Sequence, residues 1–198
     1  LTSEAIAISP DLLITRLETL KAIQNDKPLI VITHLMGYLH FLPNKKIYKD
    51  NILTISTDME ISHKALIEKL QLLGYKRETI VTKTGELGVR GFIIDLFPLG
   101  ESHPIRLEFF GDAVESIRTF DENTQRSLDH LNKVTIYSCT EFLVDTPLAE
   151  DEPTKPLDNY IKVDSIQDYL TDSVTIYKDP SSIKTVYENI VTDVKNYT

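Results

Sequence analysis

The chain has 198 residues, 41% of them hydrophobic, and a formal net charge of −9, which is material for one sizeable core or two small ones. So acidic a balance argues against general nucleic-acid binding, which needs Lys and Arg in excess to neutralise phosphates. The single cysteine, Cys139, excludes an intrachain disulfide framework, suits a reducing cytoplasm, and lies in no electropositive setting that would activate a thiol. No apolar run approaches the ~20 residues of a membrane span. The amino terminus has neither the basic n-region nor the small-residue cleavage site of a signal peptide. The start at Leu1 and the unterminated last helix before Thr198 are read as boundaries inside a longer protein.

Ser9-Pro10 opens the first predicted helix, with Ser9 as cap and Pro10 in the first helical position. Leu13, Leu17 and Leu20 then share one face. Residues 28–33 (PLIVIT) form a short continuous apolar run, the pattern of a strand buried on both faces of a parallel sheet. Residues 34–42 predict a short helix, so the order helix, strand, helix predicts an α/β layer. Residues 52–55 predict a weak strand. Residues 58–73 predict a helix whose inner stripe is Ile61, Leu66, Leu70 and Leu73, stopped at Gly74.

Past Gly74 the pattern changes. Residues 79–83, 89–97, 105–110 and 114–120 are rich in β-branched and aromatic side chains and are punctuated by Gly and Pro. They predict an antiparallel sheet packed by the helix of residues 58–73, an α+β unit. Phe110-Gly111-Asp112-Ala113 predicts a tight turn. Residues 145–156 (DTPLAEDEPTKP) predict an exposed connector. Beyond it, residues 163–170 predict a short helix and 173–178 a strand. Asp179-Pro180-Ser181 then caps a helix whose stripe, Ile183, Val186, Tyr187, Ile190, Val191 and Val194, is expected to face a core. The predicted fold class is therefore α/β with an inserted α+β domain: residues 1–57 begin an α/β lobe, 58–142 are the insertion, and 143–198 return to the lobe.

Alternation along residues 105–110 places Ile105, Leu107 and Phe109 on one face of a strand and Arg106, Glu108 and Phe110 on the other. The second set joins forked donors to a rigid aromatic ring, a combination favoured at protein interfaces. A hairpin closed by residues 98–103 would pair this strand with residues 89–97. In one register Arg90 sits opposite Phe110 and Phe92 opposite Glu108; a slip of one residue turns Arg90 to the other side. Spacing alone leaves two readings: an open sheet surface on which Arg106 and Glu108 pair, worth about 0–1 kcal/mol, or a binding face.

Other signals are weaker. Gly85, Gly88 and Gly91 have the wrong spacing for a phosphate loop, and this stretch has no GxxxxGK[ST] motif. His34, His40 and His63 have no companion ligands, so no metal site is expected. There is no GxSxG nucleophile elbow. The residues point to gripping a partner rather than to catalysis.

The blocks Gly74-Tyr75, Gly85-Glu86, Val89-Arg90-Gly91, Asp95-Leu96-Phe97-Pro98, the run from Ile105 to Asp112, and Glu115-Ser116-Ile117-Arg118 strongly resemble the bacterial transcription-repair coupling factors. They fall in the segment which that family shares with the excision-repair protein UvrB. Phe120-Asp121 with Thr124-Gln125-Arg126-Ser127 looks like the coupling factors rather than UvrB, and the flanking segments look like them too. The resemblance implies that the inserted domain docks UvrA, the damage-sensing ATPase of nucleotide excision repair. It makes Arg90, Arg106 and Phe110 the contact residues, with Glu108 and Arg77 as weaker carry-overs, and it favours the register with Arg90 beside Phe110. It also implies that the bracketing α/β domain is related to a helicase ATP-binding lobe. Tyr177-Lys178-Asp179-Pro180 departs from the Asp-Glu pair of UvrB-like proteins, so this lobe is expected to be a scaffold with no cofactor. The full-length parent implied is an ATP- and Mg-dependent DNA translocase of the bacterial cytoplasm. It would contact RNA polymerase and DNA through other regions, and another of its domains could mask the docking face. The alternatives are a fragment of a UvrB-type damage-loading subunit and a true ATP-binding lobe.

Overall fold

A computed structural model describes residues 10–25, 27–143, 163–170 and 172–196; Ser9 and the predicted connector at 145–156 lie outside them. Pro10 opens α1 (Pro10–Gln24), where its missing N–H removes no intrahelical hydrogen bond. Leu17 and Leu20 of this helix are fully buried. His34 caps the short α2 (Leu35–Tyr38), its ring nitrogen accepting from the Gly37 N–H. β1 (Leu42–Pro43) leads to α3 (Lys45–Asp50), capped by Asn44. β2 (Leu53–Ser56) follows, and then α4 (His63–Leu72), capped by Ser62. Leu66, Leu70 and Leu73 point inward from this region, as their spacing predicts. Gly74 has φ +87°, and an added Cβ would come within 2.8 Å of Thr140 Cβ. That position therefore needs glycine both for its left-handed backbone and for close chain approach.

The main sheet contains β3 (Lys76–Arg77), β4 (Glu86–Arg90), β5 (Ile93–Leu96), β6 (Ile105–Phe110), β7 (Ala113–Phe120) and β8 (Ser127–Leu131), neighbours in that order. β3 and β4 are parallel; the other pairs are antiparallel. β9 (Lys133–Ile136) pairs with β2, and β10 (Val163–Asp164) with β1. Two helices follow, α5 (Ile166–Tyr169) and α6 (Pro180–Asn196). The architecture is mixed α/β: a six-stranded mixed sheet, two small antiparallel sheets and helices.

One buried apolar cluster joins the inner face of the main sheet (Leu87, Ile94, Ile105, Leu107, Phe109, Ile117) to Leu66 and Leu70 of α4 and to Leu17 and Leu20 of α1. A side chain of this size contributes about 1.5–3 kcal/mol when fully buried, so this cluster is the main source of stability. Polar anchors fix α1 on it. Arg16 makes a two-pronged pair with the buried Glu141, at 2.5 and 2.7 Å. Lys21 donates to the Leu99 carbonyl at 2.8 Å and pairs with Glu101 at 3.1 Å.

Several elements differ from those predicted. Residues 89–97 are two strands, because Gly91, at φ +58°, and Phe92 make a two-residue turn between Arg90 and Ile93. A glycine with positive φ in the first central position fits a type II′ hairpin turn. Residues 79–83 form no strand; Val81 instead packs with Phe97 and Phe120 in a small separate cluster. Residues 28–33 and 173–178 also form no strand. Ile30 and Ile32 are 90% and 91% exposed, and Val174 and Ile176 are as open. A doubly buried strand needs neighbours on both edges, and no described segment pairs with either run. The α6 stripe is only partly covered: Ile183, Ile190 and Val191 are half-buried and α2 lies against the helix, while Val186 and Tyr187 are about half exposed.

Candidate docking face

β6 keeps the alternation read from the sequence. Ile105, Leu107 and Phe109 are buried in the core, and Arg106, Glu108 and Phe110 face outward. The register between β5 and β6 sets Ile93 opposite Glu108 and Asp95 opposite Arg106. On the other side Arg118 lies opposite Arg106, and Ser116 opposite Glu108. The pairing shifts between Glu108 and Phe109, where Ser116 and then Val114 are the partners. Glu115 is thus the extra residue of a bulge, which leaves the β6 alternation intact.

Neither register drawn from the sequence holds for Arg90. It lies on β4 opposite Ile93, one strand removed from β6. It nevertheless reaches the same cluster, because the hairpin brings it to Asp95. Arg90 Nη2 donates to Asp95 Oδ2 at 2.7 Å. Arg106 grips the same carboxylate with two prongs, Nε to Oδ1 at 2.7 Å and Nη2 to Oδ2 at 2.9 Å. The Arg106 guanidinium also stacks over the Phe120 ring, 4.7 Å from its centroid, a favourable cation–π contact. Asp95 is only 4% exposed. Its hydrogen bonds raise the Arg106 pKa still further, so the guanidinium stays protonated throughout the physiological range.

The predicted pairing of Arg106 with Glu108 does not occur. Glu108 accepts from the Ser116 hydroxyl at 2.7 Å and pairs with Arg118. The Ser116 hydrogen bond, and then Arg118, hold its carboxyl below the usual range. Two arginines directly opposite each other would repel, but each has its own carboxylate. Arg90, Arg106 and Arg118 thus share the carboxylates of Asp95 and Glu108, with Glu86 of β4 on the same face.

The five predicted site residues are brought together unequally. The Arg106 side chain is 14% exposed and that of Arg90 58% exposed, so Arg90 is the more available cation. Phe110, beside the Gly111 turn, is 80% exposed. It lies about 14 Å along the strand from Arg106, at roughly 3.4 Å per residue. Glu108 sits between them. Arg77 is exposed on β3 opposite Leu87, at the end of β4 away from Arg90, and does not join the cluster. Sequence reading missed Asp95, Ser116 and Arg118. Asp95 had a signal: a carboxylate inside the otherwise apolar run 92–97 needs a cationic partner when buried.

Elsewhere, Cys139 is buried, which pushes its thiol up to about 11, against nucleophilic use. His40 stands 3.4 Å from Glu141. No described helix is long and apolar enough to cross a membrane.

Arg90, Arg106, Glu108 and Phe110 form an outward row on the antiparallel strands β4 to β6, joining forked donors to an open aromatic ring as protein-interaction surfaces do. Residues 53–142 match the family model of the UvrB interaction domain. Over most of its length the chain is similar to proteins named transcription-repair-coupling factor. One from Staphylococcus epidermidis is 35% identical over 162 residues, which is 82% of this chain and 13% of that relative. One from Staphylococcus aureus is 37% identical over 145 residues, covering 73% of this chain and 12% of the relative. One from Staphylococcus haemolyticus is 35% identical over 144 residues. The chain thus resembles the UvrB-interaction region of the transcription-repair-coupling factors and spans about an eighth of the length of these relatives.

Proposed function

We propose that the chain is the UvrA-docking part of a transcription-repair coupling factor, and that it recruits UvrA to stalled transcription complexes for nucleotide excision repair. The observation that carries the reading is Phe110, open on the same sheet face as the Arg90–Asp95–Arg106 cluster within a UvrB interaction domain. Arg90, supported by Arg106, meets an acidic group on UvrA, and Phe110 fills an apolar recess beside it. Glu108 and Arg118 complete a fixed charge pattern that rejects surfaces of the wrong sign. Arg77 belongs to the rim.

In this reading the fragment holds no nucleotide and catalyses nothing. ATP, Mg, RNA polymerase and DNA belong to other regions of a cytoplasmic bacterial parent, one of which covers the face when UvrA is not engaged. Residues 1–57 and 143–198 belong to a degenerate helicase-like lobe interrupted by residues 58–142. Supporting this are the open apolar side chains Ile30, Ile32, Val174 and Ile176 and the half-exposed Val186 and Tyr187 of α6, which the rest of such a lobe would cover.

A pull-down of UvrA on the immobilised chain tests the docking. Wild type retains UvrA, while Arg90→Glu, which still unfolds cooperatively but at a lower temperature because the new carboxylate faces Asp95, retains markedly less. Equal retention by both would end the assignment.

A further inference from the structure

We infer that Asp95 is the positioning residue of the docking face, holding the Arg90 guanidinium in place for the partner's acidic group. This rests on the docking role proposed above and adds a residue that does not itself touch the partner. Asp95 is almost wholly buried. Arg106 occupies it with two prongs, and Arg90 shares Oδ2 at 2.7 Å. Arg106 in turn rests on the Phe120 ring, whose own cluster with Val81 and Phe97 is buried. The chain of support runs from an apolar cluster through Arg106 and Asp95 to the exposed Arg90.

The physical need for such a chain is clear. A long arginine on a sheet surface samples many rotamers, and fixing it on binding opposes association by about 0.5–1.5 kcal/mol. An anchor already formed in the free protein removes part of that cost. Arg90 spends one N–H of Nη2 on Asp95 and keeps its other N–H donors, so one guanidinium can bridge an internal and an external carboxylate. The hairpin makes this geometry possible. Gly91 and Phe92 turn the chain so that Arg90 and Asp95, five residues apart in sequence, meet on adjacent strands.

The test is a double-mutant cycle of UvrA binding on wild type, Arg90→Ala, Asp95→Asn and the double variant. Arg90→Ala weakens binding by about ten-fold, the scale of one charge-assisted contact. Asp95→Asn alone, with unfolding still cooperative, gives a loss of similar size, and the double variant binds no more weakly than the poorer single. Wild-type affinity in Asp95→Asn, or losses that multiply in the double variant, would overturn the positioning role while leaving docking intact. If wild type itself does not bind UvrA, the docking reading fails and this proposal with it. Asp95→Asn can also fail to fold, since it leaves Arg106 without its buried anion. In that case ¹⁵N relaxation of the arginine Nε–H groups in free wild type decides. An Arg90 side chain as ordered as Arg106 supports the proposal, and a freely reorienting Arg90 refutes it.

Discussion

Two carboxylates, Asp95 and Glu141, are buried, and both lie beside arginine. Glu141 accepts two hydrogen bonds from Arg16 and lies near His40. Burial alone would raise its pKa, yet the bonds to His40 and Arg16 outweigh it and leave the carboxyl below its usual range. The sign follows from linkage. A folded-state pKa below the unfolded value, ordinarily about 4.3, gives stability that is fully present above that value. It is lost as the pH falls through the folded pKa. The urea midpoint of wild type is therefore predicted to drop on going from about pH 5 to pH 3. A Glu141→Gln variant should start lower at neutral pH, by about 2 kcal/mol for bonds to a charged group, and fall less on acidification. Parallel curves for the two proteins would show that Glu141 carries no such linkage. At this scale the sequence displayed its exposed residues more readily than its buried ones. Arg106, Glu108 and Phe110 were legible because a strand with one buried face alternates with period two. The partners of Asp95 were not, because they lie on a neighbouring strand and across a turn, and such pairings depend on register.

Among the elements, the decisive one is the turn at Gly91-Phe92. Leu87, Val89, Phe92, Ile93 and Ile94 read as one apolar run, so residues 89–97 look like one strand. The turn signal is a lone glycine inside it. The polar strand β8, exposed along most of its length, was invisible for the opposite reason: it buries almost nothing and so has no apolar pattern. By contrast α4 was legible from its stripe, since Leu66 and Leu70 must meet the sheet together. The turn offers a clean measurement. Gly91 has φ +58°, and an added Cβ there meets nothing within 4 Å. Gly91→Ala should thus cost only the left-handed backbone penalty, about 1–2 kcal/mol, read as a lower denaturation midpoint with unchanged cooperativity. No loss of stability would mean that the hairpin turns in another conformation.

At the level of the whole molecule, one apolar cluster holds α1, α4 and the main sheet together, while the flanking runs 28–33 and 173–178 remain open. Both were predicted as strands and form none, because burial is a property of partners that a local pattern does not reveal. The docking face stands on the opposite side of the sheet from that cluster, so it can change without loss of the core. This separation makes one experiment decisive: calorimetric titration of UvrA into wild type and into Phe110→Ala. The Phe110 ring is almost fully open, so its removal leaves packing and melting temperature unchanged. The account predicts that wild type binds and that Phe110→Ala loses affinity by about 2 kcal/mol or more, the scale of an aromatic anchor at the centre of an interface. Equal affinity for the two folded proteins would contradict it.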